Sequence, residues 1–339
     1  MIQLKLGFGL LLVGLLSACT TIDRNAAASL GTAGENATQA LSAQTTSAGQ
    51  TLGQLNQWWG VHDALVCTNI QVPAARSACL KSVETASDPA LNKSVAQLSE
   101  VIAKRKQAID TLNQAYAAFV DLSKYNAGQD ATAALKTTFA DVNSFVAAAS
   151  ALSPAAAAVA PISTTIEDAA GGALSIFADD QQNKLILAAS KDLQTANDAL
   201  YAGLILESGA TTNLLVTLQS ERDALYGSGL DAGIIAPTDV LTPVFSEAFP
   251  NIHLTAASAA NRDAELLAAH MAVNAQTQTI VAAIPKSYTD ALGTLHAVSA
   301  QHQKFDAQQT LNLTEIELEI SNLQADVAQM NSKPQPPNK

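Results

Sequence analysis

Apolar residues recur every three or four positions over most of the chain, which is the spacing of one face of an α-helix. The first stripe predicts a single helix of roughly 45 Å, at 1.5 Å per residue. A second stripe follows Asp88 and Pro89, which favour a helix start, and ends near Gly128. The stripe residues are Leu30, Gly34, Ala37, Leu41, Thr45, Ala48, Leu52, Leu55 and Trp59, then Leu91, Val95, Leu98, Ile102, Ile109, Leu112, Tyr116, Phe119 and Leu122.

The remaining helices are predicted from the same spacing, and no stretch alternates in the manner of a β-strand. Pro285 separates or kinks the last two helices, and the glycine-rich stretch 227–237 predicts an interhelix loop. The predicted ranges are 132–152, 162–226, 255–284 and 286–331.

Taken together, these stripes predict an all-α fold, an elongated bundle of long antiparallel helices. The bundle is predicted over residues 30–331, and the proline-rich stretch 332–339 is predicted to be a disordered tail.

The N-terminus has a pattern of its own. Lys5 precedes 11 apolar residues, Leu6 to Leu16, which is typical of a secretory signal peptide and too short for a permanent membrane span. Leu16-Ser17-Ala18-Cys19 then resembles the lipobox of bacterial lipoproteins. The resemblance implies a signal peptide over residues 1–18 and a mature protein that begins with Cys19.

In lipoproteins that cysteine is acylated, so the resemblance implies a membrane anchor at Cys19, followed here by a linker over residues 19–29. Thr20, rather than Asp, follows the cysteine. By the same resemblance, this implies the outer membrane, with the protein facing the periplasm. An ordinary signal peptide with a chance cysteine is the alternative.

Cys67 and Cys79 are the other cysteines, and an exported protein can join them. The pair would staple a predicted loop over residues 60–88. Because no histidine lies between them, a structural disulfide is favoured over a redox or metal pair.

Composition excludes one class of partner. The chain has 18 Lys and Arg against 30 Asp and Glu, a formal net charge of −12. Because phosphate binding needs a cationic surface, a nucleic-acid partner is not expected.

Residue spacing gives no sign of catalysis, of a cofactor or of a metal centre. The histidines form no helical metal-binding pair, and His296 and His302 are predicted on different faces of one helix, solvated or half-buried. Glu315 and Glu319 stand one turn apart, a spacing that could bind a cation weakly, but an exposed helix face is favoured. We therefore predict that the protein is not an enzyme.

Trp58 and Trp59 are the only tryptophans. Neighbours on a helix point about 100° apart, so the two rings do not form one flat platform for a sugar. We predict that they pack against the disulfide region, and a glycan or peptide contact is the alternative.

Two classes of function remain for an anchored helical protein without catalytic motifs. The first is a scaffold or adaptor that docks other envelope proteins or peptidoglycan. The second is a membrane-active protein, because residues 142–166 form a run of 25 without a charge. Long helices around an uncharged centre resemble the layout of α-helical pore-forming toxins of the cytolysin A type. A carrier of apolar ligands is a third possibility.

Overall fold

The computed structural model describes residues 22–53, 55–68, 70–85, 89–124, 128–152, 161–163, 178–248, 254–255 and 257–331. These residues form α-helices and one 3-10 turn, without a strand among them, so the all-α bundle is confirmed. The predicted signal peptide, Cys19 and the predicted tail lie outside the described residues. The helices are α1 (Arg24–Gly53), α2 (Leu55–Thr68), α3 (Pro73–Thr85), α4 (Pro89–Lys124), α5 (Gly128–Leu152), α6 (Ala178–Asp231), α7 (Pro237–Ala248), α8 (Arg262–Asp306) and α9 (Leu313–Met330).

Six of these helices form the main bundle, in the order α1, α4, α5, α6, α8, α9 around its axis. Side-chain pairs give their directions. Ser42 bonds Asp110 while Gly49 lies beside Ile102, so α1 and α4 run antiparallel. In contrast, α5 and α6 run parallel, because Gly128 lies beside Leu185 and Gly203 beside Phe145. These two consecutive described helices therefore do not form a hairpin.

The core is built from the apolar stripes that the sequence predicts. From Leu30 to Leu52 the predicted face of α1 is buried, as is that of α4 from Val95 to Leu122. Small residues let these helices approach closely. A Cβ at Gly34 would meet the ring of Tyr116, so only glycine fits there without a shift of that ring.

The first helix begins earlier and ends earlier than predicted. The side chain of Asp23 accepts hydrogen bonds from the backbone N–H groups of Asn25 and Ala26, at 2.9 and 3.0 Å, as an N-cap does. Ala27 is already fully buried. The predicted linker over residues 19–29 is therefore helical from Arg24 onwards. At the other end, α1 stops at Gly53, so the stripe through Trp59 is shared between α1 and α2.

One predicted loop is largely helical, and another is shorter than predicted, since residues 232–236 alone connect α6 to α7. Residues 60–88 were predicted to be a disulfide loop, but α2 and α3 occupy most of that range. In the range 227–237, α6 continues to Asp231 because Leu230 packs with Leu241 in a small second core. Gly229 does not stop the helix but makes room for Ile235, whose Cδ1 would lie 2.7 Å from a Cβ at this position.

Of the separation or kink predicted at Pro285, the separation is also wrong. Helix α8 passes through Pro285, whose neighbours Ile284 and Ser287 are fully buried. The helix ends instead near Gln308, which has a positive φ of 55°. The N–H groups of Gln308 and Gln309 bond the carbonyls of Phe305 and Lys304, which is the pattern of a Schellman cap.

Candidate functional site

A buried ion pair lies in the middle of the main bundle. Nη1 of Arg105 on α4 is 2.9 Å from Oε1 of Glu207 on α6, and the two side chains are 1% and 0% exposed. The Tyr288 hydroxyl on α8 donates to the same carboxylate oxygen at 2.9 Å, and the Thr211 hydroxyl donates to it at 3.3 Å. Three helices are thus joined through one carboxylate.

The surroundings of this pair set its charge state. Burial raises the pKa of Glu207, and the positive charge of Arg105 and the hydroxyl of Tyr288 oppose that rise. The Arg105 guanidinium also lies over the Tyr288 ring, 5.2 Å from its centroid. Among the described residues, no acceptor is well aligned with an N–H of the Arg105 guanidinium. The pair is therefore held by proximity of charge more than by directed hydrogen bonds.

A second polar cluster surrounds His302 on α8, which is fully buried rather than solvated or half-buried as predicted. Its Nε2 is 3.1 Å from the Tyr116 hydroxyl, and its Nδ1 is 3.0 Å from the Ser190 hydroxyl. Asn197 donates to the same Tyr116 oxygen at 2.6 Å. Burial lowers the pKa of His302 to about 3 and raises that of Tyr116, so both are neutral near pH 7.

Sequence reasoning passed over both clusters, although a signal was present. Arg105 stands on the apolar stripe of α4, between Ile102 and Ile109. Glu207 and His302 likewise occupy positions on the buried faces of α6 and α8. A charged residue at a stripe position indicates either a helix break or a buried partner. The identity of the partner depends on the packing of another helix, which the local spacing does not contain.

The chemical role that this geometry supports is structural. Each cluster lies between packed helices, and its polar atoms face side chains of the bundle. Two grooves among the described residues lie elsewhere, one between α1 and α9 and one between α6 and α8. No group of residues suited to hold a metal ion occurs in the described part of the chain.

The predicted disulfide is present, with the Cα atoms of Cys67 and Cys79 5.7 Å apart. It joins the end of α2 to α3. Trp58 and Trp59 both lie in α2, but their side chains fall outside the description, as Cys19 does. Of the predicted sites, the cysteine pair is the one whose side chains the structure describes, and it brings them together.

Glu315 and Glu319 on α9 serve the packing of that helix. Glu315 accepts a hydrogen bond from the buried side chain of Gln301 at 3.2 Å. The carboxylate of Glu319 lies against Gly293 of α8, where a Cβ would come within 2.7 Å of its Oε2. The two carboxylates thus contact α8 at separate points.

Two segments bear on the membrane question. In the uncharged run 142–166, the residues of α5 pack into the core, with Val142, Phe145 and Ala149 fully buried. Much of the rest of that run lies outside the described residues. One described helix, α6, is long and apolar enough to cross a membrane, but 39% of its apolar window is buried in the bundle. A core helix passes the same test.

Comparison of the chain with protein-family models, with curated proteins and with solved structures found no match.

Proposed function

We propose that the chain is a lipid-anchored, non-enzymatic scaffold of the bacterial envelope. In this proposal Cys19 holds it at the outer membrane, and the helical bundle docks another envelope protein or peptidoglycan in the periplasm. The observation that supports it most is the short tether. Cys19 stands five positions before Arg24, where α1 begins, so the anchor reaches at most about 17 Å from the first helical turn.

A short tether favours a defined orientation. Arg24 at the start of α1 bonds Asn183 near the start of α6, at 3.4 Å, so both helices begin at the anchored end. Helix α6 has 54 residues and is therefore about 81 Å long. It would carry α7 and the start of α8 away from the lipid surface. Such a rod presents its far end to partners, as a scaffold requires.

The first test is the anchor. Cys19→Ser should leave an unprocessed precursor without palmitate labelling, and fractionation should no longer find a mature form in the outer membrane. A matched Cys67→Ser, Cys79→Ser variant should still be processed and labelled. If the Cys19→Ser protein is cut and labelled, the anchor assignment is overturned. If the anchor assignment holds, crosslinking in intact cells followed by pull-down would identify the partner of the anchored form.

The membrane-active alternative has its own test, in which the chain from Thr20 onwards is added to dye-filled liposomes. That chain retains every described residue. Ala147→Asp is the variant to compare, because Ala147 is exposed on α5 whereas Ala149 is buried in the core. Dye release that Ala147→Asp suppresses would overturn the scaffold proposal. No release at micromolar protein is the result that we expect.

A further inference from the structure

The exposed apolar side chains are concentrated at one part of the molecule. Among the large apolar residues that are exposed in the described part of the chain, only Ile205 and Leu318 lie in the long middle of the bundle. The others belong to α2, α3, α7, the start of α8 or the loops beside these helices. They are Val61, Val66, Val72, Leu80, Ile234, Val244, Phe245, Leu267 and Met271. By the geometry above, this is the part farthest from the start of α1.

Within this part, one helix carries a continuous outward face. We call it the α8 stripe, and its spacing of three and four positions places its members in one row along the helix. Leu267 is 62% exposed and Met271 67% exposed, which is far more than a side chain in a core shows. The stripe consists of Asp263, Leu267, Met271, Asn274 and Gln278.

The stripe leads into a groove between α8 and α6, with a volume of about 310 Å³. Asn274 and Gln278 form one wall, and Gln278 donates to Asn274 at 2.8 Å. Ser220 and Asp223 of α6 form the other wall. A row of anchor positions that continues into a groove between two helices suits the helix-in-groove mode of recognition.

The charged residues around the α8 stripe indicate whether it binds a basic protein segment or an anionic lipid surface. Asp263 lies in the stripe, and Asp223 and Asp231 border it on α6. Asp231 is 53% exposed while it holds His270, 3.0 Å away. Two cations stand nearby: Arg222 lies over the ring of Tyr226, 5.7 Å from its centroid, and the exposed Arg262 precedes Asp263. An acidic border around Leu and Met attracts a basic apolar segment and repels anionic lipid headgroups.

We propose that the α8 stripe and its groove bind a basic amphipathic helix of a partner protein. The apolar face of that helix would cover Leu267 and Met271, and its Lys or Arg side chains would face Asp223, Asp231 and Asp263. Met271 suits such a contact, because its flexible thioether adapts to different apolar surfaces. This inference rests on the proposed scaffold function and names the class of partner that it docks.

The test uses the chain from Thr20 onwards and a fluorescent helical peptide of leucine and lysine only, with its leucines on one face. The protein variant is Leu267→Asp with Met271→Asp, two exposed positions where a charge leaves the core intact. Leu318→Asp is the matched control, because Leu318 is 60% exposed on α9. The second probe is the same peptide with glutamate in place of lysine.

We expect the leucine–lysine peptide to bind and the leucine–glutamate peptide not to bind. The double variant should raise the dissociation constant by about tenfold or more, since anchor side chains dominate such contacts. Leu318→Asp should leave it unchanged, and added salt should weaken binding. No binding of the leucine–lysine peptide, or an equal loss in Leu318→Asp, would overturn the proposal.

Two further outcomes would assign the stripe to another occupant and so overturn the proposal. One is a dimer in sedimentation that the double variant dissociates, which would make a second copy the occupant. The other is binding to phosphatidylglycerol vesicles that the double variant abolishes. The peptide test does not involve Cys19, so failure of the anchor and failure of the docking site are observed separately.

Discussion

Arg105 on α4 and Glu207 on α6 form an ion pair at 2.9 Å that is shielded from bulk solvent, since neither side chain is more than 1% exposed. Removing two charges from water costs several kcal/mol per ion, and only their mutual attraction and further hydrogen bonds offset that cost. Each residue is therefore needed chiefly because the other is present.

This dependence gives the first prediction. Arg105→Met alone should lower the free energy of unfolding by about 3–5 kcal/mol, because it leaves the Glu207 carboxylate buried without a counter-charge. Adding Glu207→Gln should restore most of the loss, since the amide still accepts from Tyr288. Urea denaturation of the four members of the cycle at pH 7 measures this. Additive losses would contradict the buried-pair account.

The second prediction concerns pH. The pKa of His302 is about 3 in the folded chain and 6.5 in the unfolded chain, so the unfolded state binds more protons between these values. Stability should therefore fall as pH drops through this window, with a contribution of about 2 kcal/mol from His302 at pH 5.

His302→Gln supplies the control, because an amide can bond Tyr116 and Ser190 without titrating. The difference in unfolding free energy between pH 7 and pH 5 should shrink in this variant by the contribution of His302. The remaining titratable groups are common to both proteins, so their contributions to this pH-dependent difference cancel in the comparison. An unchanged difference would mean that His302 is protonated in the fold.

A third prediction uses two glycines of one helix. A Cβ at Gly203 would lie 2.5 Å from Cε1 of the buried Phe145, whereas nothing lies within 4 Å of one at Gly209. Gly203→Ala should therefore lower the free energy of unfolding by about 1–3 kcal/mol through overpacking. Gly209→Ala should raise it by up to about 1 kcal/mol, because alanine favours the helix. Thermal unfolding of both variants would test the close contact of α5 and α6. If the two substitutions change the free energy of unfolding in the same direction, that contact is contradicted.

The fourth prediction concerns the end of α8. Gln308 has a φ of 55°, a left-handed conformation that costs a residue with a Cβ more than it costs glycine. Gln308→Gly should raise the free energy of unfolding by about 0.5–1 kcal/mol, after allowance for the greater freedom of glycine in the unfolded chain. Gln309→Gly, one residue further, should not stabilise. Equal effects in chemical denaturation would refute the Schellman cap.

The disulfide gives the fifth prediction. Replacing both Cys67 and Cys79 by Ser should lower the free energy of unfolding by about 3 kcal/mol at most, because the closed loop is short, with a sequence separation of 12. Thiol labelling of the denatured, unreduced protein should find neither cysteine. Labelling of either cysteine would show that the pair is reduced.

Where local sequence contains the determining signal, it predicts the structure well. The stripe from Leu30 to Leu52 defines the buried face of α1, and Cys67 and Cys79 pair as their context indicates. Helix ends are predicted less well, because α8 continues through Pro285 and stops at Gln308. At both places the packing of neighbouring helices outweighs the local preference of the residue.

The partners within the polar clusters cannot be predicted from the spacing of residues along the sequence. Arg105 and Glu207 each interrupt an apolar stripe, but only the folded bundle aligns the two interruptions. The α6–α8 groove is similar, since its walls come from Ser220 and Asp223 on one helix and Asn274 and Gln278 on another. Such sites depend on the register between helices, which is set by the whole core.

The contact between the first and last described helices has a consequence for biosynthesis. Ser47 on α1 bonds Asn331 beyond α9 at 3.0 Å, across 284 positions of sequence. A chain that is made from its N-terminus can pack α1 against α4 early, but it cannot cover the remaining face of α1 until α8 and α9 have been synthesised. A chain cut before Leu313 should therefore leave this face of α1 uncovered, and it should be more sensitive to protease than a chain that includes α9.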